Sequence, residues 1–193
     1  MIDNVDTDWG VNSTYTGIQI ASMSYGSLGG GPLVPGDQGD NGSSAEANLV
    51  NQATDAGIIC VVAIGNDGTN RVPSPGSADG ALTIGSVDDK NTVLREDDSM
   101  SGFSNYGPRL TDNDGDDTDE QKPDVTSYGS NIISASYAPA SLGLPGTSAT
   151  LANDQYDSKS GTSMATPIAS GVIALMLEAD PNLTPEEVKD IVR

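Results

Sequence analysis

The sequence contains no histidine in its 193 residues. Histidine is the side chain that most often serves as a general base near neutral pH, so any hydrolytic site here lacks that group. The sequence also has a single cysteine, which excludes a disulfide within the chain and leaves the redox compartment open. Cys60 lies in the aliphatic run 58–62, where we expect a buried small apolar side chain rather than a reactive thiol.

Basic residues are scarce as well, with 8 lysines and arginines against 28 aspartates and glutamates. The formal net charge of -20 repels phosphate groups, which argues against a nucleic acid partner. Three explanations of the acidity remain open: solubility in salt, calcium binding, or acidic loops with no specific role. The last of these is the default.

Long hydrophobic runs and aromatic residues are missing too. No apolar stretch approaches the ~20 residues of a membrane span, so we expect no membrane association. The first six residues have neither the basic start nor the apolar run of a signal peptide. With one phenylalanine, the core of a single domain must come from aliphatic side chains, and short aliphatic runs are typical of parallel strands in α/β folds.

The first half of the chain predicts a strand, a helix and a second strand. The strands are expected at 18–24 and 58–64, where short apolar runs occur. Between them, Ser43 and Glu46 form the pattern of a capping box at a helix start, and Gly57 suits the end of that helix. Two strands joined by a helix indicate a parallel β-α-β unit.

The second half predicts more short strands, a loop and two helices. The strands are expected at 81–87, 124–127 and 131–134. A loop rich in small residues and proline covers 135–160. Residues 164–179 are apolar on nearly every side, which predicts a helix buried inside the domain. Thr184 as N-cap, Pro185 at the first helical position and Glu187 at the third predict a terminal helix.

Ser163 stands where a glycine-containing loop enters the helix expected at 164–179. There the unpaired N–H groups and the helix dipole favour negative charge, such as that of a developing oxyanion. The physically commoner alternative is that Ser163 only caps the helix. Asn66 also has a plain alternative as a turn residue, since Gly-Asn-Asp-Gly is a good turn sequence. Lys159 is a poor alternative base, because a loop lysine holds its proton at neutral pH.

Several segments resemble those of subtilisin-like serine proteases. Residues 161–167, Gly-Thr-Ser-Met-Ala-Thr-Pro, closely resemble the signature around the nucleophile of that family. Residues 63–66, Ala-Ile-Gly-Asn, resemble the segment whose asparagine donates to the oxyanion, and residues 22–26 resemble the strand that pairs with the substrate backbone. Residues 101–108 and 122–125 also resemble family segments, in the family order.

The resemblance implies a three-layer α/β fold with a mainly parallel sheet and the activity of a serine endopeptidase on polypeptides. It implies that Ser163 is the nucleophile and that Asn66 stabilises the oxyanion. The substrate-binding residues it implies are Ser24, Tyr25, Gly26, Ala63 and Gly65. Asp67, next to the oxyanion residue, is expected to favour a basic substrate side chain mildly. Localisation outside the cell is implied by the family alone.

The resemblance implies no cofactor for catalysis, and structural calcium because family members often bind it. The acid run 112–120 has carboxylates at alternate positions, as a calcium loop would. It lacks the bidentate glutamate that an EF-hand has at its last ligand position. A solvated acidic loop is therefore the favoured alternative for this run.

In the family, motifs with the catalytic aspartate and histidine precede the serine, but only 17 residues precede the strand at 18–24. We therefore expect this chain to be the C-terminal portion of one catalytic domain and inactive alone, with residues 1–6 ending a helix of the absent portion. We also expect strand 58–64 to lack cover on one face. The alternative is a non-catalytic module that keeps the fold and binds peptide or calcium.

Overall fold

The structure is a computed structural model that describes residues 17–26, 39–115, 118–135 and 156–193. Residues 1–6, expected to end a helix, lie outside these ranges, as does most of the loop expected at 135–160. Five strands form one sheet: β1 (Ile20–Met23), β2 (Ile59–Ala63), β3 (Leu82–Asp88), β4 (Ser99–Met100) and β5 (Val125–Tyr128).

The sheet is mainly parallel, as predicted. β1 pairs with β2, β2 with β3 and β3 with β5, all in parallel, and the short β4 runs antiparallel to β3. A separate antiparallel ribbon joins β6 (Ile132–Ala135) to β7 (Tyr156–Lys159). The prediction of a loop up to residue 160 is wrong for β7, because its polar residues become a strand only through pairing with β6.

Within the described ranges, three helices cover the sheet: α1 (Ala45–Asp55), α2 (Thr162–Ala179) and α3 (Pro185–Val192). Successive side chains of β2 point to opposite faces, as in any strand. Ile59 and Val61 pack in a core with residues of α2 and α3, whereas Cys60 and Val62 pack with residues of α1. The three-layer α/β architecture and the buried Cys60 are thus confirmed.

Both predicted capping patterns lie at helix starts, but the N-cap of α1 is displaced by one residue. The N-cap of α1 is Ser44, whose side chain accepts from the N–H of Ala47, so the predicted box on Ser43 and Glu46 is wrong by one residue. Gly57, with φ of 90°, follows the C-cap of α1 as expected. The box on Thr184 and Glu187 at α3 is confirmed.

Two expectations about burial are wrong. All residues of β2 are buried, because α1 covers one face and α2 with α3 the other, so this strand does not lack a cover. Helix α2, expected to be buried all round, exposes 53% of Val172 and 65% of Leu175. In length and composition α2 would also suit a membrane span, contrary to the expectation that no stretch comes close, although Ile173 and Leu177 belong to the core.

Candidate active site

The carboxyl ends of β1 and β2 and the start of α2 meet at one edge of the sheet. β1 and β2 are parallel neighbours, so the residues that follow them lie side by side. Ser24 follows β1, and its Oγ donates to the main-chain oxygen of Ser163 at 3.0 Å. In return, Ser163 Oγ donates to the main-chain oxygen of Ser24 at 3.4 Å. The first turn of α2 is therefore fixed against the end of β1.

Asn66 is held by the residue that precedes Ser163. Its Oδ1 accepts from the main-chain N–H of Thr162 at 2.8 Å and from Thr162 Oγ1 at 3.0 Å. Thr162 Oγ1 also accepts from the N–H of Gly65 at 3.2 Å. Gly65 has φ of 110°, and a Cβ there would lie 2.6 Å from the Asn105 side chain, so the turn into Asn66 requires glycine.

Two hydrogen-bond donors beside Ser163 remain open. Both contacts of Asn66 use its oxygen, and no acceptor among the described residues bonds its Nδ2. The N–H groups of Thr162 and Met164 bond to Asn66 and Gly161, whereas the N–H of Ser163 has no acceptor within the described part of the chain. A negative oxygen placed between Asn66 Nδ2 and the N–H of Ser163 would receive both bonds.

A cleft of about 300 Å³ lies next to these donors. The catalytic and substrate-binding residues named from the sequence all line it: Ser24, Tyr25, Gly26, Ala63, Gly65, Asn66 and Ser163. Asp67, also named from the sequence, lines it too, and Thr162, Pro73 and Arg71 complete its described lining. The structure thus brings together every predicted site residue.

The carboxylate of Asp67 has two partners in the wall of the cleft. Arg71 Nη1 donates to Asp67 Oδ2 at 3.4 Å, and Asn105 Nδ2 donates to the same oxygen at 3.3 Å. The mild preference for a basic substrate side chain stays a prediction.

No basic side chain contacts the Ser163 hydroxyl among the residues that the structure describes. Its acceptor is the main-chain oxygen of Ser24. Lys159 is 58% exposed in its side chain and lies 3.9 Å from Asp157, which matches the view that it is a poor base.

In sequence, residues 5–193 match the subtilase family. The chain belongs to this family. Serine protease AprX of Bacillus subtilis is 39% identical over 146 residues, which make up 75% of this chain and 31% of AprX. Alkaline proteinase of Hapsidospora chrysogena is 36% identical over 179 residues, 92% of this chain and 34% of that protein. Halolysin-like extracellular serine protease Nep of Natrialba magadii is 32% identical over 69% of this chain and 18% of Nep.

Solved structures agree with the subtilase fold. A cold adapted subtilisin-like serine proteinase is 29% identical with a TM-score of 0.53, covering 76% of this chain and 42% of that one. Sphericase, at 23% identity, has a TM-score of 0.63 and covers 98% of this chain and 50% of sphericase. The chain therefore spans half or less of these structures, and 18–34% of the three relatives named above.

The acid run forms part of a carboxylate cluster that does not fit calcium. Asp79, Asp112 and Asp119 place carboxylate oxygens within 4.8 Å of one another. The buried Arg109 guanidinium lies among them, 2.8 Å from Asp79, 3.2 Å from Asp112 and also in contact with Asp119. Calcium needs about 6–8 oxygen ligands, and here a guanidinium takes the place of the cation. The sequence indicated a solvated loop and gave no sign of this internal partner.

Thr162 and Arg71 are the site residues that sequence reasoning missed. Thr162 was read as part of the motif around Ser163, with no role of its own. Arg71 lies four residues after Asp67, but outside a helix this spacing does not predict contact, so no signal connected the two. Both become visible only when the loop after β2 and the start of α2 are placed together.

Proposed function

We propose that this protein is a serine endopeptidase in which Ser163 Oγ attacks the carbonyl carbon of a peptide bond. The observation that carries the proposal is the pair of open donors, Asn66 Nδ2 and the N–H of Ser163, beside that hydroxyl. Donors that are already oriented stabilise charge that develops in the transition state, because they need no reorganisation when it appears.

The reaction proceeds in two halves. A base takes the Ser163 Oγ proton as the new C–O bond forms, and the former carbonyl oxygen becomes an oxyanion held by the two donors. Collapse of this intermediate breaks the C–N bond, and the amine leaves with the proton. The resulting ester on Ser163 is then hydrolysed by water through the same steps in reverse order.

The substrate is a polypeptide that binds in extended form along residues 24–26. Backbone pairing with this segment supplies affinity, and the cleft beside Ala63, Gly65 and Asn66 receives the side chain preceding the cleaved bond, called P1 below. The position of the cleft next to Ser163 supports this assignment, since one substrate residue would span both features.

The base comes from a segment of the subtilase domain beyond these residues, because the chain has no histidine. The match with sphericase supports this proposal, because the chain covers only 50% of that structure and the other half is available to carry the base. This segment covers two surfaces. One is formed by the exposed Val172 and Leu175 of α2. The other is an apolar groove of about 210 Å³ beside the edge strand β1, lined by Ile18, Met23 and Leu49. Burying such side chains contributes about 1.5–3 kcal/mol each, so the segment also stabilises the fold.

Purified protein and a chromogenic peptide test the proposal. The 193-residue chain alone should show no turnover, because Ser163 lacks a base. Addition of the remaining part of the domain in trans should raise the melting temperature and produce turnover that is lost in Ser163→Ala. Turnover by the chain alone that disappears in Ser163→Ala would refute the proposed origin of the base. No turnover from the assembled domain would refute the enzymatic function.

Absence of histidine favours a second candidate, a module that binds peptide without cleaving it. The two functions differ in the reaction of the assembled domain with a serine-directed phosphonate, which forms a covalent adduct on an activated serine and none on an inactive one.

Secretion belongs to the proposal as well, supported by the similarity to the extracellular serine protease Nep. It is tested by detecting the protein in culture medium rather than in cells.

A further inference from the structure

The turn that presents Asn66 is held from behind by a buried asparagine, Asn105. This residue is fully buried and bonds to the chain on both sides of Asn66. Its main-chain N–H donates to the main-chain oxygen of Gly65 at 3.0 Å. Its Oδ1 accepts from the N–H of Asp67 at 2.8 Å. Asn105 therefore fixes both the residue before Asn66 and the residue after it.

Three longer contacts extend this support along the turn. Asn105 Nδ2 donates to the main-chain oxygen of Ile64 at 3.4 Å and to Asp67 Oδ2 at 3.3 Å. Asn105 Oδ1 also accepts from the N–H of Thr69 at 3.5 Å. Each polar atom of the amide thus has two partners in the loop after β2, which uses both of its N–H donors. The amide cannot rotate without breaking these bonds, so it is a rigid support.

The support is anchored in the sheet and not in the cleft. Ser104, the neighbour of Asn105, is buried, and its Oγ accepts from the N–H of Ser86 in β3 at 3.0 Å. This bond ties the segment around Asn105 to the centre of the sheet. The Asn66 side chain bonds in the other direction, to the first residue of α2, and no bond joins it to Asn105 among the described residues. Asn66 is thus held by its main chain from behind and by its side chain from the front.

We propose that Asn105 is a positioning residue for the oxyanion donor, because by fixing the turn 64–69 it sets where Asn66 Nδ2 lies beside Ser163. This inference rests on the proposed function, since it takes Asn66 as that donor. A donor stabilises the oxyanion only from within hydrogen-bond reach of the developing charge, and a misplacement of about 1 Å can lower a rate about a hundredfold. Asn105 is not among the described residues that line the cleft, so its effect on the reaction passes through Asn66.

Amide hydrogen exchange on the whole chain tests the position of Asn66 without any turnover. The N–H of Thr162 donates to Asn66 Oδ1 at 2.8 Å, so its protection from exchange reports whether this contact is intact. The exchange rate is measured by NMR relative to that of the Ile173 N–H, which lies in the core part of the same helix. Asn105→Ala should raise this ratio about tenfold, as expected for the loss of one hydrogen bond. Asn66→Ala, which removes the acceptor itself, should raise it at least as much.

A double-variant cycle in the assembled domain tests whether Asn105 acts through Asn66. Asn105→Ala should lower kcat on the chromogenic peptide about tenfold to a hundredfold. KM should change little, because Asn105 contributes neither to the pairing along residues 24–26 nor to the described lining of the P1 cleft. In Asn66→Ala, where the donor is already absent, Asn105→Ala should lower kcat by less than about threefold more. A merely structural role would lower both rates by the same factor.

Asn51→Ala is the matched control. Asn51 Oδ1 accepts from the N–H of Gly80 at 2.9 Å, and its Nδ2 donates to Asp79 Oδ2 at 3.4 Å. These are the kinds of bond that Asn105 makes, to a main-chain N–H and to a carboxylate. Asn51 lies on α1, away from the described lining of the cleft. The control variant should leave kcat and the exchange ratio unchanged.

An unchanged exchange ratio in a folded Asn105→Ala variant, or equal factors in the two backgrounds of the cycle, would overturn the inference. If Asn105→Ala fails to melt cooperatively, Asn105→Asp takes its place, because it keeps the shape and the acceptor but loses the donor to Ile64. The ratio should still rise, and an unchanged ratio there would overturn the inference as well. The test is separable from the proposed function: a ratio that rises in a domain that never hydrolyses the peptide would keep Asn105 as the support of Asn66 and refute only the catalytic role of that donor.

Discussion

The two edges of the parallel sheet use polar groups in opposite ways. At the carboxyl edge, two donors beside the Ser163 hydroxyl, Asn66 Nδ2 and the N–H of Ser163, have no acceptor in the described part of the chain. At the amino edge, before β3 and β5, the side chains of Lys122 and Asp124 are buried and bond to each other, and Lys122 Nζ also donates to the main-chain oxygen of Ala81. The first edge is open to a ligand and the second is closed.

The amino edge is held by a network centred on Asp124. Its Oδ2 accepts from the N–H of Thr83 at 2.6 Å and from Lys122 Nζ at 3.0 Å. Its Oδ1 accepts from Arg193 Nε at 3.0 Å and lies 3.4 Å from Lys189 Nζ. Because Lys189 and Arg193 lie at the end of α3, the network ties this helix to the sheet.

The comparison teaches that donors whose acceptors lie within the fold stabilise it, whereas donors left open are available for a substrate. A buried charge must be paired, so the amino edge tolerates little change. If the two edges are truly separate in role, substitutions at one should change stability and substitutions at the other should change activity.

Asp124→Asn should give the largest effect, a loss of about 3–5 kcal/mol in the free energy of unfolding, because it leaves the buried Lys122 without its carboxylate. Urea unfolding followed by circular dichroism measures this loss, and turnover of the chromogenic peptide by the assembled domain should persist under native conditions. Asp88→Asn, beside the exposed Lys90, is the control and should change stability little. Equal losses in the two variants would remove the distinction between the edges.

Asn66→Ala should lower kcat of the assembled domain by about 10²–10³, because one of two oxyanion donors is lost. The magnitude is that of the oxyanion asparagine of subtilisin, a member of the same family. The substitution should cost only about 1–3 kcal/mol of stability, because the buried N–H of Thr162 loses its acceptor. Peptide hydrolysis with separate kcat and KM values is the measurement. A rise in KM with kcat unchanged would indicate that Asn66 contacts the substrate but not the oxyanion.

The open edge could be predicted from sequence better than the closed one. Short apolar runs at 18–24 and 58–64 predict parallel strands locally, and the segments at 63–66 and 161–167 resemble known ones in order. The fold then brings them together because parallel neighbours end at the same edge. The resemblance supplied the roles, since Ser163 as a simple cap remained the commoner alternative on physical grounds.

The remaining features depend on contacts between distant parts of the chain. Asp124 and Arg193 are 69 residues apart, and no local pattern indicates their bond. β7 was missed because its polar sequence is a strand only beside β6. The exposed face of α2 was missed because apolar composition predicts which side chains can be buried, not which neighbours are present to bury them.

Thr162→Val should produce a smaller effect, which lowers both activity and stability. The valine keeps the shape but removes one of the two contacts that orient Asn66 and leaves the N–H of Gly65 without its acceptor. We expect about a tenfold fall in kcat with KM nearly constant, and a loss of about 1–3 kcal/mol in stability. Thr162→Ser restores the hydroxyl and should recover kcat. Loss of stability with unchanged kcat would limit Thr162 to a structural role.

The last expected effect is a pH dependence of stability at the closed edge. Burial lowers the pKa of Lys122 to about 7, against the opposing attraction of Asp124. In the unfolded chain a lysine has a pKa of ~10.4. Between these two values the unfolded state holds a proton that the folded state has released, so stability should rise with pH, by at most about 1.4 kcal/mol per pH unit.

The sign of this slope separates Lys122 from its neighbour. The pKa of Asp124 is lowered although its burial opposes ionisation, because Lys122 and Lys189 attract the carboxylate, so its contribution is lost only as acid protonates it. Urea unfolding at a series of pH values between 7 and 10 should therefore show a rise that Lys122→Met abolishes, since no other partner of Asp124 is as fully buried. A rise that persists in Lys122→Met would assign the proton to another group. A flat profile in the unmodified chain would mean that Lys122 stays charged in the folded state, and the closed edge would then hold a permanent ion pair rather than a titrating one.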